Sequence, residues 1–242
     1  MESIFALQPT NWLHDAIITW WFGYWCAKTG GFSNFSITRQ GKRNQNKIDG
    51  QRKTFFATSF FCKHILDGEI RGANETKYVD IFTCSTMLIP VNIKLKYWIL
   101  ACIDFEQKWI AWFESMRLLF TWLTREHSFH RTTNFDPDEW TLHSGPPPGS
   151  QVPLHTNDYD CGIFICLYAA FLDIRRLPLS FSQHDTRNVR TWMAHEMIEE
   201  GKLLKMIYRV LHDSTLLATA TGNTATTHGN STTTGRSATR NR

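Results

Sequence analysis

The stretch Asp160 to Ile174, DCGIFICLYAAFLDI, constrains this chain more than any other, because from Gly162 onward nearly every side chain is apolar or small. A surface helix carries a polar face opposite its apolar stripe. A helix without one has to be buried on most of its sides. Other elements must therefore pack around this segment from several directions.

A sheet able to do so is written between Val79 and Met116. There Met87 to Val91, Tyr97 to Asp104 and Trp109 to Phe113 form short apolar runs separated by turns, which predicts three neighbouring strands. TFFATSFFCKHIL from Thr54 reads as an aromatic-rich strand or turn leading into a helix. Apolar groups at helical spacing over residues 12–27 predict a first helix, with Asn11 after Pro9 as its N-cap. Arg117 to Arg125 has helical periodicity, and 186–211 reads as a final amphipathic helical region. The expected class is α/β (α+β), a central sheet flanked by helices.

At 242 residues one domain and a tail are expected. Residues 1–10 read as a lead-in, 11–212 as the domain, and 213–242, rich in Thr, Gly and Asn, as a disordered tail without the apolar groups needed to fold. Within the domain, 28–53 reads as a basic loop and 143–153 as a Pro/Gly loop. Arg39 to Lys53 holds six basic residues against one Asp, so the formal net charge of +4 is concentrated there. Such a loop can attract an acidic partner, nucleic acid or an import receptor, and it can equally be a solvated surface. Nucleic acid is not the expected partner.

Six cysteines at 26, 62, 84, 102, 161 and 166 form no CxxC pair and no Cys/His metal spacing. Free thiols in a reducing compartment are expected, inside the cell in nucleus or cytoplasm, with no metal and no cofactor. MESIFALQPTNW lacks a basic n-region ahead of an apolar stretch, and the apolar run Ala16 to Ala27 is too short to span a bilayer, so neither secretion nor membrane insertion is expected. Ten Trp and seventeen Phe point to a deep core or a binding cleft.

Cys161 stands at the predicted N-terminus of the buried helix, where unpaired backbone N–H groups and the helix dipole stabilise a thiolate. It is a candidate nucleophile, or simply a small buried side chain as Cys166 is expected to be.

WLHD from Trp12, the IF and LIPVN of residues 81–92, YWILACIDF from Tyr97, WFESM from Trp112 and VPLHTNDYDCGIF from Val152 occur in the order expected of one family. Over about residues 11–200 the chain resembles the ubiquitin-like-protein proteases of the Ulp/SENP type. The resemblance implies a papain-like cysteine peptidase fold with a central mixed sheet. It also implies hydrolysis after a C-terminal Gly-Gly of SUMO or a similar modifier, through a thioester on Cys161, by a monomer.

Carried over residue by residue, only the nucleophile keeps its identity. The family's general-base His falls on Tyr97, its orienting Asp on Glu114 and its oxyanion Gln on His155. A phenol with a reference pKa near about 10 is a poor acceptor for a thiol proton at neutral pH. His155 could serve as a displaced base, although the family's geometry puts it on the oxyanion side. The other histidines, such as His14, His64, His127, His130, His143 and His195, are expected to be surface or structural groups.

Trp12 and Trp98 match two indoles that sandwich the Gly-Gly tail in the family, with core packing as the alternative for each. Asp15 matches an Asp near that tunnel, and Asp104 is expected to be structural at a strand end. Two functions stay open: an active peptidase, and a pseudoprotease that binds a modifier without cutting it.

Overall fold

The computed structural model describes residues 2–33, 54–66, 76, 79–111, 116–145, 152–174 and 179–202. The chain divides into two units, Met1–Ala194 and His195–Arg242. In the second, residues 195–202 are helical and Lys202 bonds Glu199 at 2.6 Å. The expected tail 213–242 and residues 203–212 lie outside the described residues.

The first unit is built on a six-stranded mixed sheet in sequential order: β1 (Phe32–Ser33), β2 (Thr54–Phe56), β3 (Thr86–Ile93), β4 (Tyr97–Asp104), β5 (Trp109–Ala111) and β6 (Thr141–His143). β1, β2 and β3 run parallel, β3–β4–β5 is an antiparallel meander, and β6 joins β5 in parallel. The helices are α1 (Glu2–Phe5), α2 (Asp15–Thr29), α3 (Phe61–Leu66), α4 (Met116–His130), α5 (Cys161–Asp173) and a helical segment at 186–194.

The pleat sorts the central strands into two apolar faces, as burial on both sides requires. Met87, Ile89 and Val91 share one face with Ala101, Ile103 and Ile110, and pack on Phe61, Cys62 and Ile65 of α3 and Leu119, Trp122 and Leu123 of α4. Leu88, Leu100 and Cys102 point to the other face, where α2 and α5 lie. Phe22 of α2 meets Phe56 of β2 edge-on at 5.8 Å, and the Trp21 indole N–H donates to the Cys166 carbonyl of α5 at 3.1 Å. The helix that the sequence requires to be buried is thus enclosed by the sheet on one side and α2 on another.

The three predicted strands are present, and β3 extends to Thr86–Ile93. β5 is described as Trp109–Ala111, and residues 112–115 lie outside the described residues. α2 begins at Asp15, three residues later than the periodicity predicts, because His14 is its N-cap. The Asn11 amide expected to cap it donates instead to the Phe5 carbonyl at 2.9 Å. Lys28 and Thr29, counted with the basic loop, complete α2, and Gly30 closes it at φ 72. Residues 34–53 of that loop are outside the described residues. His143, counted with the Pro/Gly loop, ends β6.

All six cysteines are free. Among the described residues no helix is long and apolar enough to cross a membrane. Residues 1–10, expected as a lead-in, include α1, and Ala6 and Leu7 are buried.

Candidate active site

Cys161 is the first residue of α5 and is 2% exposed. Gly162 lets the helix head press on the segment before α2: a Cβ at Gly162 would lie 2.9 Å from Leu13 Cβ. From the sheet side, the Trp98 indole N–H donates to the Leu13 carbonyl at 2.9 Å, and the Trp98 backbone N–H points at the Cys161 sulfur at 3.5 Å. Three separate parts of the chain therefore meet at the head of α5: the end of the loop 152–160, the start of β4 and the lead into α2.

The helix head does not make this thiol acidic. Burial pushes the Cys161 pKa up and outweighs the backbone N–H groups of Trp98, Gly162 and Cys161 that favour the thiolate, and the neighbouring Asp160 charge adds to the rise. The sequence-based expectation of a lowered pKa is corrected accordingly. A dipole acts within a turn, but the enclosure it works against is nearly complete. Cys166, wholly buried on the same helix, is raised still further by desolvation.

Tyr97 opens β4 and is exposed, with its hydroxyl 2.8 Å from His155 Nε2. His155 Nδ1 is 2.6 Å from the Asn157 carbonyl oxygen, which can only accept, so this network assigns the proton to Nδ1. In the neutral ring Nε2 then carries the lone pair and accepts from the Tyr97 hydroxyl. Phe164 of α5 holds the imidazole edge-on at 5.5 Å. Tyr97 itself is raised, first by burial and then by the Cys161 charge, so it gives up its proton less readily than free tyrosine. The structure joins two of the predicted site positions to each other, and both ring nitrogens of His155 are committed to groups other than the sulfur.

Trp98 is buried and Trp12 is exposed, and the residue after Trp12, Leu13, accepts the Trp98 indole N–H through its carbonyl. Asp15 lies in the first turn of α2. Glu114 lies outside the described residues. Asp104 behaves as a structural group: its Oδ1 accepts from the backbone N–H groups of Glu106 and Gln107 at 3.0 and 2.8 Å and turns the chain out of β4.

Sequence reasoning missed the frame beneath the sulfur. Asp160 is 2% exposed, and its carboxylate receives Arg190 Nη2 at 2.7 Å and Nε at 3.0 Å, Asn157 Nδ2 at 2.8 Å and Gln183 Nε2 at 2.5 Å. Burial pushes this carboxyl up, but the bonds from Asn157, Arg190 and Gln183 and the Arg190 charge prevail and hold it below the usual carboxylate range. Asn157 also accepts from the Tyr159 and Asp160 amides through Oδ1, which folds the loop into the helix. The signal was present: Thr186, Arg190 and Met193 share one buried stripe, and an arginine there requires a buried acid.

A mixed sheet with a cysteine at the head of the helix buried against it defines the papain-like class of cysteine peptidase folds. The sequence profile of the Ulp1 protease family, C-terminal catalytic domain, matches residues 33–203. The chain belongs to the Ulp1 protease family. It is 27% identical over 210 residues to the human protein named Sentrin-specific protease 2, with 83% of this chain covered, and 25% identical to the Sentrin-specific protease of Caenorhabditis elegans, with 85% covered. These matches take in 32% and 28% of those proteins, so the chain spans about a third of the curated relatives' length.

Among solved structures, SUMO protease Ulp1 with its catalytic cysteine oxidised to a sulfinic acid matches at TM-score 0.60 and 22% identity, covering 82% of this chain and 83% of that one. The Ulp1 protease domain in complex with Smt3, the yeast orthologue of SUMO, matches at TM-score 0.59 and 20% identity, covering 83% and 82%. Both share the fold.

Proposed function

We propose that this chain engages the Gly-Gly-terminated tail of SUMO or a similar ubiquitin-like modifier, as a cysteine peptidase whose turnover is far below that of an imidazole-armed site. The observation that carries the reading is the placement of Cys161, at the head of α5 with the Trp98 amide on its sulfur and the Trp12 segment packed against Gly162. In the reaction, the Cys161 sulfur attacks the carbonyl carbon of the terminal glycine. The C–N bond breaks as the amine leaves with a proton, and water then hydrolyses the thioester. The Cys161 backbone N–H would face the oxyanion.

The weak step is removal of the thiol proton. No imidazole occupies the Tyr97 position, the phenol is itself raised, and the thiol is raised by burial. Loss of a triad member typically costs orders of magnitude in rate. A second reading, binding without cutting, is favoured by His155, whose ring nitrogens serve Tyr97 and Asn157. The protein would act as a monomer inside the cell, in nucleus or cytoplasm, where its six free thiols suit a reducing environment.

The test is cleavage of a fluorogenic SUMO ending in Gly-Gly by wild type, Cys161→Ala and the paired Tyr97→His, His155→Gln variant. Slow wild-type turnover that Cys161→Ala abolishes supports the peptidase. A silent wild type that binds SUMO, beside a paired variant that cuts, supports the binding-only reading. A wild type that neither binds nor cuts removes both.

A further inference from the structure

Arg190 commits its whole guanidinium to two stretches of chain, one leading to Trp12 and the other to Cys161. Nη1 donates to the Ala6 and Gln8 carbonyls, each at 3.2 Å, and Nη2 to the Asn11 carbonyl at 2.9 Å, the Tyr159 carbonyl at 3.2 Å and Asp160 Oδ1 at 2.7 Å. Nε adds a second bond to Asp160 Oδ1 at 3.0 Å. The side chain is 4% exposed.

Two of these partners directly precede residues of the site. Asn11 is followed by Trp12, and Asp160 by Cys161. One nitrogen, Nη2, thus holds the residue before the exposed indole and the residue before the nucleophile. The Trp12 segment has its second anchor on the opposite side, where the Trp98 indole N–H takes the Leu13 carbonyl.

We infer that Arg190 is a positioning residue that sets the placement of Trp12 relative to Cys161, and with it the preference for a Gly-Gly tail. This rests on the proposed function, since it assigns a specificity role within that same cleft. Arginine is required by geometry as well as charge: the planar fork reaches carbonyls on one stretch and a carboxylate on the other. A lysine ammonium has three donors at one point and can satisfy Asp160 without reaching the Ala6, Gln8 and Asn11 carbonyls. Loss of the fork removes the tie between the Trp12 segment and Asp160, leaving the segment to Trp98, the Leu13 packing on Gly162 and its own Asn11–Phe5 bond.

The test uses the full chain and two probes, SUMO ending in Gly-Gly and SUMO lacking those two glycines, with affinities measured by titration calorimetry. Wild type is expected to prefer the Gly-Gly form. Arg190→Lys is expected to lose about tenfold of that preference while its affinity for the truncated form stays within about twofold. Asp160→Asn, which keeps an acceptor for the guanidinium but removes its charge, is the milder variant, and about a threefold loss of preference is expected. It carries the test if Arg190→Lys does not fold. An unchanged preference in either folded variant overturns the inference and leaves the proposed function standing, as does an equal loss on both probes. A wild type without any preference overturns the proposed function and the inference with it.

Discussion

The Tyr97 hydroxyl and His155 Nε2 lie 2.8 Å apart, so the phenol at the family's base position and the imidazole at its oxyanion position are partners of each other. The imidazole lone pair that a thiol would need is taken by a hydroxyl. This pair is solvent-accessible on the Tyr97 side, which sets its energetic weight. Tyr97→Phe is expected to change stability by less than about 1.5 kcal/mol, the range for a single neutral hydrogen bond. Urea unfolding of the two proteins reads this directly.

Thiol reactivity should follow from the same arrangement. With burial raising Cys161 and, among the described residues, no histidine nitrogen bonded to its sulfur, the thiolate fraction grows with pH throughout the neutral range. Alkylation of Cys161 by iodoacetamide, followed by peptide mass spectrometry, is expected to accelerate about tenfold per pH unit from 7 to 9 without a plateau. Cys166, wholly buried and raised further, should react more slowly at every pH in the folded protein. A plateau below pH 7 would reveal a thiolate–imidazolium pair and contradict this account.

Gly162 offers a packing test. Its missing side chain lets α5 approach Leu13, and a methyl group would meet Leu13 Cβ at 2.9 Å, Cγ at 3.1 Å and Cδ1 at 3.2 Å. These atoms sit close to the backbone of a buried residue, so little of the clash can be absorbed by side-chain rotation. Gly162→Ala is expected to destabilise by about 1–3 kcal/mol, the usual range for overpacking. Equilibrium denaturation measures it, and a change below about 0.5 kcal/mol, the noise level of neutral surface substitutions, would show that the segment before α2 yields freely.

Much of this architecture is legible in the chain because single elements impose strict patterns. The unbroken apolar run after Cys161 fits a helix enclosed on several sides, and the near-continuous apolar run in Tyr97–Asp104 fits a strand buried on both faces. Two of the positions read through ordered motifs, Tyr97 and His155, meet one another in the structure. What stays hidden depends on partners distant in sequence. Nothing near Asn11 announces that its amide will reach back to Phe5 while its carbonyl is taken by Arg190, 179 residues away. The thiol's acidity is hidden for a related reason: the helix end is local and visible, whereas the burial opposing it comes from β4 and the Leu13 segment.

Asp160 carries the acid limit of the fold's central frame. Its carboxyl is held below the usual range in the folded chain, despite burial, by Asn157, Arg190 and Gln183. A group depressed on folding contributes stability that is fully present above its unfolded pKa, near about 3.9, and is lost as pH falls through the lower folded value. Wild type should therefore lose stability on acidification below about pH 4 more steeply than Asp160→Asn, which has no proton to take up at this position. At pH 7 wild type is the more stable of the two: Asp160→Asn keeps an acceptor for the guanidinium but removes the charge facing it, and should be less stable by about 1–3 kcal/mol, the cost of weakening a buried hydrogen-bonded contact to a charged group. Urea midpoints measured at pH 7, 5, 4 and 3 test both statements. Convergence of the two proteins toward low pH is the expected result, and a constant difference across the series would show that Asp160 titrates alike in the folded and unfolded chains.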